Sequence, residues 1–158
     1  MAKQSSSDRV VEAARKAGLD IEIVQMPAST RTAEEAAAAC GCCVAEIVKS
    51  LVYLGAESDA VVLLLVSGVN RVDEAAVGNH LGEALTRPNG RTVRERTGFA
   101  IGGVAPLGHI GEVRVFIDED LAQYTTVWAA GGAPNSVFQT TVQDLCKATG
   151  GTWLKMTG

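Results

Sequence analysis

Lys49 stands in the run Ile47-Val48-Lys49-Ser50-Leu51-Val52, a lone cation among apolar neighbours. Held by its stem beside Val48 and Leu51, its ammonium could deliver a point charge to a carboxyl or phosphate oxygen at a cleft rim. At the helix-to-strand junction expected there, it could equally meet the last helix carbonyls, or simply be solvated. Gly102-Gly103 offers two successive backbone N–H groups with no side chain in the way. Such a pair can form a nest for an oxyanion or a phosphate oxygen. Pro106 removes a donor and fixes the loop. A tight turn needing positive φ explains one or two glycines. It explains Gly98, Gly102, Gly103, Gly108 and Gly111 together less well. Asn135 follows Pro134, and its amide could hold a substrate hydroxyl or carbonyl, or shape its own loop as an Asx-turn.

Other reactive residue types assemble nothing by spacing. Cys40, Cys42 and Cys43 crowd one stretch and Cys146 is remote, with only His80 and His109 to complete a metal site. That is neither the C-x-x-C spacing of a zinc knuckle nor a pair of clusters, so reduced thiols that pack as small apolar groups are expected. No Ser-His-Asp or Cys-His arrangement is supported, and His109 reads as an incidental loop residue. The Asp118-Glu119-Asp120 run reads as a strand end capping the next turn.

The elements that must position these residues follow from pattern and punctuation. Ser7 is a plausible N-cap for a helix with apolar Val10, Val11, Ala14 and Ala17, stopped by Gly18. Residues 21–25 alternate as a half-buried strand. Thr32 and Glu35 form a capping box for an Ala-rich helix ending at Gly41. Val44, Ile47 and Val48 predict a second short helix running into a strand over 49–54. Residues 60–67 are an unbroken Val/Leu run, the pattern of a central strand, and the short turn before it predicts an antiparallel hairpin. Helices are expected from Asp73 to about His80, from Pro88-Asn89 to Thr97, and after Thr141. Strands are expected at 113–117, 124–129 and 136–140. Together they predict one mixed α/β domain over 1–158, a mixed or antiparallel central sheet ringed by short helices, with 1–7 flexible.

The chain has 158 residues and is 47% hydrophobic, enough for a core and too apolar for disorder. Only 4% of residues are aromatic, so base stacking on an aromatic platform is not indicated. The net charge of −4 leaves any contact with nucleic acid local. Its richest basic stretch is Arg87, Arg91, Arg94 and Arg96, which could also be a solvated helix face. The start lacks a signal-peptide h-region and the longest apolar run is too short for a bilayer, so a cytoplasmic protein without a membrane partner is expected.

Three stretches in this order are specific where each alone is weak: Val48-Lys49-Ser50-Leu51-Val52; the loop from Thr97-Gly98-Phe99 through Gly102-Gly103-Val104-Ala105-Pro106-Leu107-Gly108; and Gly132-Ala133-Pro134-Asn135. Thr32, Val66-Ser67-Gly68 and Ile117-Asp118 agree with them. The pattern, from about Asp8 to Leu154, resembles the YbaK/EbsC family of aminoacyl-tRNA deacylases, which also occurs as the editing domain inserted in bacterial prolyl-tRNA synthetases. The resemblance implies hydrolysis of the ester between a mischarged amino acid and the 3′ end of tRNA. Lys49 matches the family's functional lysine, and the Gly102 and Gly103 amides would form the oxyanion pocket. Thr32, Ser50, Ala105, Pro106, Gly132 and Asn135 would bind substrate, while Arg87, Arg91 and Arg94 would touch tRNA. In relatives the substrate's own 2′-hydroxyl takes part, so no cofactor and no metal are implied. A synthetase is a further partner; DNA is not. Some relatives carry His at position 135, and many carry Ser where this chain has Ala105 and Ala133, which bears on the amino acid removed.

Overall fold

The computed structural model describes residues 5–157. In chain order its elements are α1 (Ser6–Lys16), β1 (Val24–Gln25), α2 (Ala33–Cys40), β2 (Ile47–Gly55), β3 (Val61–Ser67), α3 (Glu74–Leu81), β4 (Leu85–Thr86), α4 (Gly90–Thr97), β5 (Arg114–Asp118), β6 (Thr126–Ala130), β7 (Ser136–Thr141), α5 (Val142–Thr149) and β8 (Thr152–Leu154). All strands join one mixed sheet in the order β1-β7-β6-β2-β3-β5-β8, with β4 also on β2. The β2–β6, β3–β5 and β5–β8 pairs are parallel and the others antiparallel. The expected mixed α/β fold with the 49–67 hairpin at its centre is what forms.

Helix ends follow the expected chemistry, because a side-chain oxygen satisfies otherwise orphaned N–H groups. Thr32, Asp73, Asn89 and Thr141 each accept from the residue three places on. Helix α1 begins one turn's edge earlier than expected. Ser5, not Ser7, is its N-cap, in a reciprocal capping box with Asp8. Of the start expected to be flexible, residues 5–7 form the cap and first turn of α1, and 1–4 lie outside the described residues.

Three further expectations need correction. Only Val24–Gln25 of the 21–25 segment pairs, opposite Val137 and Ser136 of β7. The helix expected through Val48 is a single 3-10 turn over Val44–Glu46, and the β-branched Ile47 and Val48 already belong to β2. Lys49 is thus the third residue of a strand, not a helix-end residue. The two short strands β4 and β8 carry no alternation long enough to be read from sequence.

Strand β3 is buried along its whole length, and its side chains alternate between two cores. Leu63 and Leu65 face Val10 and Ala14 of α1, Val93 of α4, Leu145 of α5 and Ile117. Val62, Leu64 and Val66 face Val77 of α3, Leu154 and Met156. Each such leucine contributes roughly 1.5–3 kcal/mol by burial. A smaller cluster seats Ala36 and Ala37 of α2 on Ile47.

Candidate active site

A cleft of about 720 Å³ opens beside β2, within the usual size for a small-ligand site. Its walls come from the N-terminal end of α2, from β2, from the loop after β3, from Arg87 and Pro88 after β4, from the 101–104 segment and from β6–β7. Lys49, Thr32, Ser50, Gly102 and Arg87 line it, so the fold brings five of the expected site residues together.

Strand geometry sets their directions. Val48 and Val52 pack in the core under α1 and α4, whereas Ile47, Leu51 and Tyr53 pack toward α2 and α3. By alternation Lys49 faces the α2/α3 side and Ser50 the other. The half-buried Lys49 donates from Nζ to the main-chain carbonyl of Asn70. Asn70 is itself fixed, donating from Nδ2 to Asp118 at 2.8 Å and to Asp120 at 2.7 Å. Asp118, 1% exposed, also accepts the Ser67 N–H at 3.0 Å. Burial lowers the Lys49 pKa from its ordinary value; Glu34 and Asp118 oppose that shift and Arg71 adds to it. The result is a cation partly stripped of water, held by a carbonyl and therefore aimed.

Gly102 sits at φ +86°, which suits glycine, and its N–H has no partner among the described residues. The expected two-amide nest does not form. The Gly103 N–H donates to the Ala100 carbonyl at 2.9 Å, closing a turn, and Gly103 is off the cleft wall.

Ala105 and Pro106 are buried, Ala105 within the main core, and neither lines the cleft. Gly132 is also buried, at φ +96°, and a Cβ there would meet Phe99 and Val10 at 3.0 Å. It lets the third motif pack on α1, and it does not line the cleft. Asn135 adopts φ +60° and holds a neighbouring segment in place of its own loop. Its Oδ1 accepts the Thr30 N–H at 3.3 Å and its carbonyl accepts the Met26 N–H at 2.8 Å. Thr30 lines the cleft, so Asn135 braces that wall without lining it. The Thr32 hydroxyl is occupied by the Glu35 amide and carboxylate.

The basic stretch divides. Arg87 lines the cleft while paired to Glu74 at 2.7 Å. Arg91 pairs with Glu95 and Arg96 with Asp59 outside it, and Arg94 does not reach it either. Arg31 and Arg71 take their place beside Lys49, and sequence reasoning missed both. The available signal was position: one precedes the N-cap of α2, and the other follows the end of β3, where connecting loops carry function. Trp128 and Tyr53 complete the apolar lining.

His109 lies under the loop, with Nε2 2.7 Å from the Ala105 carbonyl and its ring edge-on to Phe99. Among the described residues no group of three or more His, Cys, Asp or Glu could hold a metal. The cysteines form no disulfide, and burial raises the Cys40 thiol to about 11, far from a reactive thiolate. No helix among the described residues is long and apolar enough to cross a membrane.

The residues that line this cleft all fall inside the part of the chain that matches a family model. Residues 27–148 match the aminoacyl-tRNA editing domain, and the chain belongs to that family. It is 32% identical over 124 residues to the uncharacterized protein YwhH of Bacillus subtilis, covering 78% of each chain. A solved structure ascribed to a proposed trans-editing enzyme for prolyl-tRNA synthetase is 42% identical, with TM-score 0.91 over 99% of both chains. That of hypothetical protein APE2540 is 28% identical, with TM-score 0.85 over 93% of this chain and 97% of the other. These likenesses support an editing role.

Proposed function

We propose that the chain is a trans-acting aminoacyl-tRNA deacylase that hydrolyses the ester linking a mischarged amino acid to the 3′ end of tRNA. The observation that carries this reading is Lys49, half-buried in the cleft wall and held by the Asn70 carbonyl, with Arg31, Arg71 and Arg87 lining the same cleft. An acidic chain that gathers cations in one cleft is suited to an anionic end of a ligand. Three arginines set a small electrostatic footprint, so tRNA affinity should fall only shallowly with salt, as for about three phosphates.

In the reaction, water adds to the ester carbonyl carbon, negative charge grows on the carbonyl oxygen, the bond to the ribose oxygen breaks, and that oxygen takes up a proton. An aminoacyl ester is already activated, so positioning and oxyanion stabilisation suffice. Lys49 supplies charge to the developing oxyanion or to the terminal phosphate, and the Gly102 N–H supplies a donor on the other side of the strand. Ser50 and Thr32 belong to the substrate wall, Asn135 positions it, and Ala133 leaves room where many relatives carry a hydroxyl. No metal or cofactor takes part. A synthetase that delivers the tRNA is the further partner, and the setting is the cytoplasm.

The test is single-turnover hydrolysis of a panel of mischarged tRNAs, with and without excess chelator. Release of at least one amino acid, unchanged by chelator, is expected. Activity that returns only on adding zinc ends the metal-free mechanism, and binding of tRNA without release ends the deacylase reading.

A further inference from the structure

Every residue from 47 to 53 lines the cleft. Side chains alternate along a strand, so a cleft over one face would meet only every second residue. Contact with the whole run means that the cleft follows the edge of β2.

Register identifies the peptide groups on that edge. The Gly68 N–H donates to the Ile47 carbonyl and the Gly55 N–H to the Ala60 carbonyl, with unbroken antiparallel pairing between them. Residues in such a ladder alternately face their partner and face away. Lys49, Leu51 and Tyr53 therefore bond toward β3, and Ser50 and Val52 direct N–H and C=O outward. On that outer side β6 pairs only with Ile47 and Val48, and β4 only with Leu54 and Gly55. The sequence explains the gap. Extending the register of β4 would put Pro88 opposite Val52, and proline has no N–H to give. Beyond Ala130 the chain is turned aside through Gly131 and Gly132. The Ser50 hydroxyl is buried there too, without a partner.

We propose that this gap holds the aminoacyl group as a one-residue extension of the sheet. Its α-ammonium donates to the Ser50 carbonyl and its ester carbonyl accepts from the Ser50 N–H. The inference rests on the deacylase reading above. An aminoacyl ester presents a donor and an acceptor spaced as in one residue of a strand, the unit that an open sheet edge pairs with. Among the described residues no Asp or Glu lines the cleft beside Lys49 and the three arginines, and strand carbonyls meet the ammonium's need. The same pairing fixes the ester oxygen on a rigid N–H as charge develops, which replaces the donor that Gly103 has committed to its turn.

Ser50→Pro tests it, because it removes an outward N–H and leaves the bonds to β3. Ser50→Ala, which removes only the hydroxyl, is the reference. The proline variant should hydrolyse mischarged tRNA about a hundredfold more slowly than the alanine variant. Rates agreeing within about threefold, with both proteins folded, overturn the inference and leave the deacylase reading standing. A second measurement needs no variant: the same tRNA carrying the α-hydroxy acid with the same side chain, each rate divided by its uncatalysed rate. Loss of the ammonium should cut the enhancement about tenfold. Equal enhancement for the two esters overturns the inference even if Ser50→Pro does not fold. A wild-type protein that releases no amino acid from any mischarged tRNA overturns the deacylase reading, and this inference with it.

Discussion

Strand β2 and the glycine-rich segment 98–111 both carry dense motifs, but they relate to the cleft in opposite ways. In β2 the residues 47–53 all reach it, because one strand edge is left unpaired. In the loop only Ile101, Gly102 and Val104 reach it, while Phe99, Ala105 and Leu107 enter the core and His109 lies beneath. A motif can therefore record two demands at once: a few atoms that meet a ligand and many more that hold them. Which residue serves which demand depends on long-range packing.

The largest expected effect separates the two regions by stability. Phe99 is 1% exposed in the main core. Phe99→Ala should cost roughly 3–5 kcal/mol, read as a fall in denaturant midpoint. Its rate per folded molecule should stay within about tenfold of wild type, since the side chain does not line the cleft. A variant of normal stability that is inactive would place Phe99 in the site and dissolve the contrast.

Lys49→Ala should do the reverse. Deacylation should slow a hundred- to thousandfold, a barrier higher by about 3–4 kcal/mol, with thermal stability little changed. Lys49→Arg should keep partial activity if charge alone matters, since it trades a compact ammonium for a planar fork. The pH profile sharpens this. Burial lowers the Lys49 pKa from 10.5, so the active cation is lost on the alkaline side earlier than for an ordinary lysine. Rates divided by the uncatalysed rate should fall there, and Lys49→Arg should not show that limb. If Lys49→Ala melts far earlier and its folded fraction stays fully active, the lysine is structural.

This contrast also marks what the sequence could reveal. The caps at Thr32, Asp73, Asn89 and Thr141 and the β2–β3 hairpin were legible because each is a local chemical requirement. Lys49 was legible as a candidate, but not its place inside a strand, because Val44 to Val48 suits a helix turn and a strand alike until β3 and β6 pair with it. The roles of Gly132, Ala105 and Asn135 were hidden for a related reason. Their partners, α1, the core and the Thr30 segment, are remote in sequence. The open edge of β2 depends on Pro88, which local reading assigned only to the start of a helix.

The glycines give a smaller test within the loop. Gly102 holds φ +86° with nothing near the position of a Cβ, so Gly102→Ala should cost only the backbone penalty, about 1–2 kcal/mol. At Gly103 a Cβ would lie 3.7 Å from the Ala100 carbonyl oxygen, an ordinary contact. Gly103→Ala also keeps the N–H, so stability should move by less than about 0.5 kcal/mol and the rate should hardly change. Loss of deacylation in a stable Gly103→Ala protein would show that the loop rearranges to present both amides.

The effect expected at His109 falls on stability alone. Burial lowers its pKa from 6.5, with the Ala105 carbonyl opposing and Arg9 adding to the shift. The folded-state pKa therefore lies below the unfolded value. As pH falls past about 6.5, the unfolded chain takes up a proton that the folded protein refuses, so stability is lost on the acid side and retained above it. His109→Gln can still donate to the Ala105 carbonyl but does not titrate. Between pH 7 and 5 the melting temperature of wild type should drop more than that of the variant, by a few degrees at most, the span of about 1 kcal/mol in a domain of this size. The titrating groups elsewhere are common to both proteins and cancel in the difference. Parallel slopes would mean that His109 takes its proton while folded. The loop would then open to water, and its role as a packed support for the cleft would fail.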